Sequence, residues 1–235
     1  MPKGCVIFDF DGVIADTERL HFDAYNAALS ANAALIGGPL SLPAAAYFTR
    51  YIVYGDREGF FHILRDNNRP HDDQTIAVLA ATKHELFQDR LHAFVEPLPG
   101  VRSVLAFLEE NRVPRAICSG ARRKEIEQLL AAFNLRHHFD ALVSIDDVRI
   151  GKPDPEGYNR AFDQLNLEYD AELDKGCSLV IEDSAGGMYA GKSAGIPVLG
   201  VATSLPLEEV QRHADHAVQD LSHLPLETLR QWLRL

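Results

Sequence analysis

CVIFDFDGVIADTE, residues 5–18, decides how the rest of the chain is read. A short apolar run ends in two aspartates, Asp9 and Asp11, spaced i, i+2, and a glycine follows at once. Charge interrupts the run too soon for a secretory core or a membrane span, so it reads as a β-strand that stops in a turn. Strand side chains alternate, so Asp9 and Asp11 share one side, or Asp11 falls just past the end, and both can meet one ligand. Taken alone, such a pair fits a capping turn or a solvated strand end equally well. The segments that follow decide between these readings.

From about residue 97 onward, helical stripes alternate with short apolar runs, the pattern of a parallel sheet with crossover helices. Val101, Val104, Leu105 and Leu108 precede RAICS (115–119); Ile126, Leu129, Leu130 and Phe133 precede ALVSI (141–145); Tyr158, Ala161, Phe162 and Leu165 precede CSLVIED (177–183). IPVLGV (196–201) and DHAV (215–218) are shorter strands, and the tail carrying Trp232 is a closing amphipathic helix. Residues 17–95 contain no comparable strand and read as helical, entered through DGVIADT (11–17) and left through PLPG (97–100). The expected architecture is α/β: a Rossmann-like parallel sheet flanked by helices, built from residues 1–16 and 96–235, with an α-helical cap domain inserted at 17–95.

A formal charge of −11 repels nucleic-acid backbones and anionic membranes, so neither is an expected partner. A small molecule fits better. Cys5, Cys118 and Cys177 lie far apart and share no metal-ligand spacing, which suits buried thiols in a reducing, cytoplasmic setting. GGMYAGKS (186–193) matches the phosphate-loop pattern G-x-x-x-x-G-K-[ST] letter for letter. Such a loop needs a sustained helix after it, yet Gly195 and Pro197 follow within five residues of Lys192. Residues 185–194 are instead expected to be a short helix stopped by Gly195, with Lys192 in its last turn.

The strand ends carry the chemistry. Ser119 and Gly120 follow one strand, Lys152 in GKPDP follows the next, and Glu182 and Asp183 close the one after. Each has an ordinary explanation as a cap, a turn or a solvated end, but together they line the sheet edge where open α/β sheets bind ligands. In order and type these motifs resemble the haloacid dehalogenase superfamily, specifically the helical-cap branch that holds β-phosphoglucomutase and many small phosphatases. The resemblance runs from residue 8 to about 187 and is strongest in DFDGVIADTE. It implies a Mg²⁺-dependent phosphotransferase in which Asp9 becomes a transient aspartyl-phosphate. Asp9, the backbone carbonyl of Asp11, and Asp183 are the implied metal ligands, with Glu182 acting through water. Lys152, Ser119 and Gly120 are the implied phosphate contacts. Asp11 is the implied acid and base, which favours phosphate esters over halides or phosphonates. The physics agrees: a carboxylate ~4 Å from a dianionic phosphate is repelled by roughly 8 kcal/mol at an effective dielectric of ~20, so cations must offset it.

In the cap, His21 resembles a histidine that relatives place near the acid/base carboxylate, and Arg57 and Lys83 resemble cations that grip a second phosphate. Arg122 and Arg123, at a helix start where the dipole disfavours them, are further candidate ligand contacts. The expected function is hydrolysis of a small phosphorylated metabolite, a sugar phosphate or sugar bisphosphate, by a monomer or small homo-oligomer. The alternatives are a mutase using the same site, a nucleotide-dependent kinase, and a non-catalytic binding protein.

Overall fold

In the computed structural model, which describes residues 3–52, 54–94, 96–169 and 172–235, β1 spans Val6–Phe8 and is buried throughout. Four helices follow: α1 (Glu18–Ala31), α2 (Ala44–Ala46), which runs into a π-helical turn at Tyr47–Tyr51, α3 (Asp56–Asp66) and α4 (Asp73–Phe94). The chain then alternates: α5 (Val101–Glu110), β2 (Arg115–Cys118), α6 (Arg123–Ala132), β3 (Ala141–Val143), α7 (Glu156–Tyr169), β4 (Leu179–Glu182), α8 (Ala185–Ser193), β5 (Val198–Val201), α9 (Leu207–His213), β6 (His216–Val218) and α10 (Leu226–Trp232). It divides into two compact units, Met1–Asp16 with Glu96–Leu235, and Thr17–Val95.

The first unit is a six-stranded parallel sheet in the order β3-β2-β1-β4-β5-β6. β1 therefore lies centrally, and the connections diverge on its two sides, toward β2 and toward β4. A crevice opens beyond the carboxyl ends of strands at such a switch point. Alternation orients the strands: Cys5 and Ile7 sit in one cluster with Tyr158, Ala161, Phe162 and Leu165 of α7 and Met188 of α8. Each large aliphatic or aromatic side chain buried there contributes about 1.5–3 kcal/mol. The helical stripe read at 158–165 is thus the face that covers the sheet.

Several strands are shorter than their apolar runs, for local reasons. The Ser178 hydroxyl accepts from the backbone N–H of Cys5 at 3.0 Å, so a side chain replaces the ladder there and β4 begins at Leu179. Pro197 has no N–H to donate, although its carbonyl accepts from Val180 at 2.9 Å, and β5 begins at Val198. Ser144 leaves the β3 ladder to form a reciprocal capping box with Asp147.

The second unit is helical among its described residues, and its core gathers Tyr25, Ala28 and Leu29 of α1, Phe60, Ile63 and Leu64 of α3, and Ile76 and Leu79 of α4. Asn26 pins the loop after α1, donating to the Leu42 carbonyl at 3.1 Å and accepting from the Leu42 N–H at 2.8 Å. Among the described residues no helix is long and apolar enough to cross a membrane.

The octapeptide that mimics a phosphate loop lies on α8. Ser184 caps the helix, accepting from the Gly187 N–H at 3.0 Å, and Gly195, at φ +78°, ends it. Lys192 is paired at the surface with Asp215, at 3.3 Å. Lys192→Ala is expected to leave catalytic activity intact and to cost no more than about 1 kcal/mol in urea unfolding, the scale of an exposed ion pair. Loss of activity in that variant would place the octapeptide in the chemistry.

Candidate active site

Asp9 follows β1 directly and is 6% exposed; its N–H still donates to the Ile181 carbonyl at 2.9 Å, which sets it level with the end of β4. The chain then turns tightly, with Gly12 at φ +76° donating to the Ala15 carbonyl at 2.8 Å. A Cβ on Gly12 would lie 1.9 Å from Oδ2 of Asp183, so only glycine lets this turn close against the far carboxylate. The Thr203 hydroxyl donates to the Gly12 carbonyl at 2.5 Å from the end of β5. On the β2 side, the Ser119 hydroxyl donates to Asp11 at 3.3 Å and accepts from the Ala121 N–H at 2.9 Å. Gly120 is exposed beside open space.

The Lys152 ammonium donates to Asp9 at 2.5 Å and to Glu182 at 2.6 Å. Glu182 is fully buried and saturated. Its Oε1 also accepts from the Tyr158 hydroxyl at 2.9 Å, and its Oε2 accepts from the N–H groups of Asp183 and Ser184, each at 2.9 Å, and from the Ser184 hydroxyl at 3.0 Å. Gly187 is required beneath it, since a Cβ would meet the carboxylate at 1.6 Å. Asp183, 4% exposed, accepts from the Ser204 hydroxyl.

Burial would raise the Glu182 pKa, but the Lys152 charge and the converging donors win and hold it below its usual range. Asp9 goes the other way: burial, with the charges of Glu182 and Asp11, pushes it up to about 8 against the pull of Lys152. Asp183 is pushed well up by burial and by its carboxylate neighbours. Lys152, despite burial, is held well above its usual value by Asp9 and Glu182. Cys118, at the end of β2, is raised to about 12 by burial, so its thiol stays protonated and is no rival nucleophile.

Asp9, Glu182 and Asp183 bring carboxylate oxygens within 4.8 Å of one another. One ammonium set against three buried carboxylates, two of them with raised pKa values, marks a site short of positive charge. A hard divalent cation suits both this deficit and an all-oxygen donor set, so the residues fit Mg²⁺.

The helical unit holds a second polar cluster. Lys83, 2% exposed, bonds to His21 Nδ1 and to Asp56, each at 2.7 Å. His21 stacks on Phe87 with ring centroids 4.1 Å apart. An ammonium only donates, so Nδ1 must accept and the ring proton sits on Nε2. Burial and the adjacent Lys83 charge hold the His21 pKa well below its ordinary value. Arg57 is exposed in the first turn of α3. Thus His21 and Lys83 are brought together and Arg57 stands apart from them. Arg122 is exposed, while Arg123 is engaged structurally: its guanidinium donates to the Leu142 carbonyl and to Asp147, both at 2.8 Å, correcting its reading as a ligand contact.

Four participants escaped the sequence reading. Tyr158 counted only as a core-facing helical residue, and Asp56 was passed over beside Arg57. Ser204 and Thr203 follow β5, and the rule that residues after parallel strands line the site would have found them.

A family model of haloacid dehalogenase-like hydrolases matches residues 4–195. The chain belongs to this family of hydrolases. It is 34% identical over 204 residues to a phosphorylated carbohydrates phosphatase of Thermotoga maritima, covering 85% of this chain and 86% of that one. It is 29% identical to the fructose-1-phosphate phosphatase of Escherichia coli, covering 83% and 95%. The crystal structure of a proposed β-phosphoglucomutase from Thermotoga maritima superposes with a TM-score of 0.75 at 30% identity, covering 97% and 99%.

In this hydrolase, nitrogen-detected NMR is expected to show His21 as the neutral Nε2–H tautomer at pH 6.5, where an ordinary histidine is half protonated. The unfolded chain takes up this proton near pH 6.5 and the folded protein does not. The stabilising contribution of His21 is therefore complete above that pH and shrinks as the pH falls below it. A smaller acid sensitivity of unfolding in His21→Gln checks the sign.

Proposed function

We propose that this hydrolase is a Mg²⁺-dependent phosphatase that cleaves a small phosphorylated metabolite, a sugar phosphate or sugar bisphosphate, through an aspartyl-phosphate on Asp9. The observation that carries the reading is the convergence of Asp9, Lys152, Glu182 and Asp183 at the end of the central strand. Two carbohydrate-directed phosphatases among its relatives support the substrate class.

Asp9, Asp183 and the Asp11 backbone carbonyl would hold the metal directly. Glu182 would act through water, because both its oxygens are already engaged by protein donors. When bound, Mg²⁺ supplies the charge that offsets the repulsion between carboxylate and phosphate. In the first step a carboxylate oxygen of Asp9 attacks phosphorus, the bond from phosphorus to the sugar oxygen breaks, and Asp11 gives that oxygen a proton. In the second, Asp11 takes a proton from water, whose oxygen attacks phosphorus; the bond to Asp9 breaks and inorganic phosphate leaves. Lys152 and the Ser119 hydroxyl neutralise and orient the phosphoryl oxygens, with backbone donors at Gly120 beside them. In this reading the helical unit, residues 17–95, is the cap domain. Three free thiols suit a reducing cytoplasm, and the active species is a monomer or small homo-oligomer.

The likeness to a proposed β-phosphoglucomutase favours one second reading, return of the phosphoryl group to the sugar instead of to water. Inorganic phosphate released from a panel of sugar phosphates supports hydrolysis. Conversion of a hexose 1-phosphate to its 6-phosphate, primed by bisphosphate, supports the mutase. Asp9→Asn is expected to lower turnover on the order of 10³-fold or more with the fold kept, as for removal of a nucleophile. Full activity in that variant would refute the assignment. Chelation by EDTA is expected to abolish turnover and added Mg²⁺ to restore it; activity that survives chelation counts against the metal.

A further inference from the structure

A carboxylate oxygen offers two lone pairs, and a lysine ammonium has three N–H bonds to place. Glu182 Oε2 is engaged by three protein donors, so only Oε1 is open to Lys152, and one of its two lone pairs is taken by the Tyr158 hydroxyl at 2.9 Å. Lys152 therefore gives Glu182 a single N–H, at 2.6 Å. A second goes to Asp9, and a side chain still 18% exposed keeps the third for a ligand. Tyr158 also lies against the ammonium itself, its ring centroid 5.1 Å from Nζ. The ring is fully buried on α7 in the cluster that holds Cys5, Ile7, Ala116 and Val180, which fixes both contacts to the sheet. A phenylalanine would fill that core with no polar atom to satisfy, so the contribution of the hydroxyl lies at Glu182 and not in the packing.

We propose that Tyr158 is a positioning residue: by filling the second lone pair of Glu182 Oε1 it keeps Lys152 from turning two N–H bonds onto Glu182, and so holds one N–H on Asp9 and one free for a phosphoryl oxygen. The assignment rests on the phosphatase reading above. It lies wholly within the first unit and gives no part to residues 17–95. Without the hydroxyl, the half-filled Oε1 draws the ammonium further onto the fully buried carboxylate, because a charge-assisted bond made away from water is the stronger one. An arriving phosphoryl group then loses the N–H that would meet it, and the deficit falls on binding of the phosphate group.

The test is Tyr158→Phe in the full chain across a series of Mg²⁺ concentrations, read as the Kd of inorganic phosphate by titration calorimetry and as kcat and KM for p-nitrophenyl phosphate. Phosphate is expected to bind about ten-fold more weakly at every Mg²⁺ concentration, the scale of one charge-assisted hydrogen bond, with a matching fall in kcat/KM. A purely structural hydroxyl would lower the urea midpoint and leave the phosphate Kd of the folded protein unchanged, and that outcome overturns the proposal. So does phosphate affinity that recovers as Mg²⁺ is raised, since it places the effect at the metal and not at Lys152. Should Tyr158→Phe not fold, Tyr158→Met, which refills the core with a flexible apolar chain, is read in the same way. Wild type separates the two readings. If it neither hydrolyses a phosphate ester nor binds phosphate, the phosphatase reading fails and the assignment falls with it; if it does both and the folded variant matches it, only the positioning role fails.

Discussion

Lys152, held between Asp9 and Glu182, is the contact on which the rest of the core depends. Three carboxylates crowd the end of β1 and β4 against one ammonium, and a fold tolerates such an imbalance only if the surrounding donors and backbone enforce it. The enforcement is visible residue by residue. Glu182 is fixed by a tyrosine, a serine and two backbone amides, Gly12 lets the turn close on Asp183, and Gly187 leaves room beneath Glu182. The strand order puts β2 and β4 on either side of β1, so residues far apart in sequence reach one point without distorting the sheet.

The helical unit meets a similar problem with the opposite balance. There a buried lysine is matched by one carboxylate and one neutral imidazole, and the cluster ends without surplus charge. The core site is thus left wanting a cation, whereas the lysine of the helical unit has its own carboxylate partner. The contrast follows from counting charges within each unit.

Much of this was legible in the order of residues. The six strands, the stripes of α5, α6 and α7, and the clustering of Asp9, Ser119, Lys152, Glu182 and Asp183 at strand ends followed from periodicity and from the geometry of parallel sheets. The false phosphate loop was also dismissed correctly, because Gly195 and Pro197 leave no room for the helix it needs. What the sequence hid were contacts that depend on side-chain direction. Tyr158 looks like any core aromatic until its hydroxyl is seen to reach Glu182, and Lys83 looks like a solvated helix charge until α1 and α3 supply its partners. Strand ends were overextended where Ser178 and Ser144 bond to backbone, because a hydroxyl substituting for a ladder partner leaves no trace in hydrophobic pattern.

β3 lies at the margin of the sheet, where an unpaired strand offers its carbonyls and amides to any passing chain. Arg123 from α6 lies across this rim, its guanidinium bound to the Leu142 carbonyl and anchored by Asp147. A bulky, charged, hydrated group there spoils the surface for strand-to-strand growth between copies. The residue whose placement first suggested ligand binding thus occupies a carbonyl that an added strand would need.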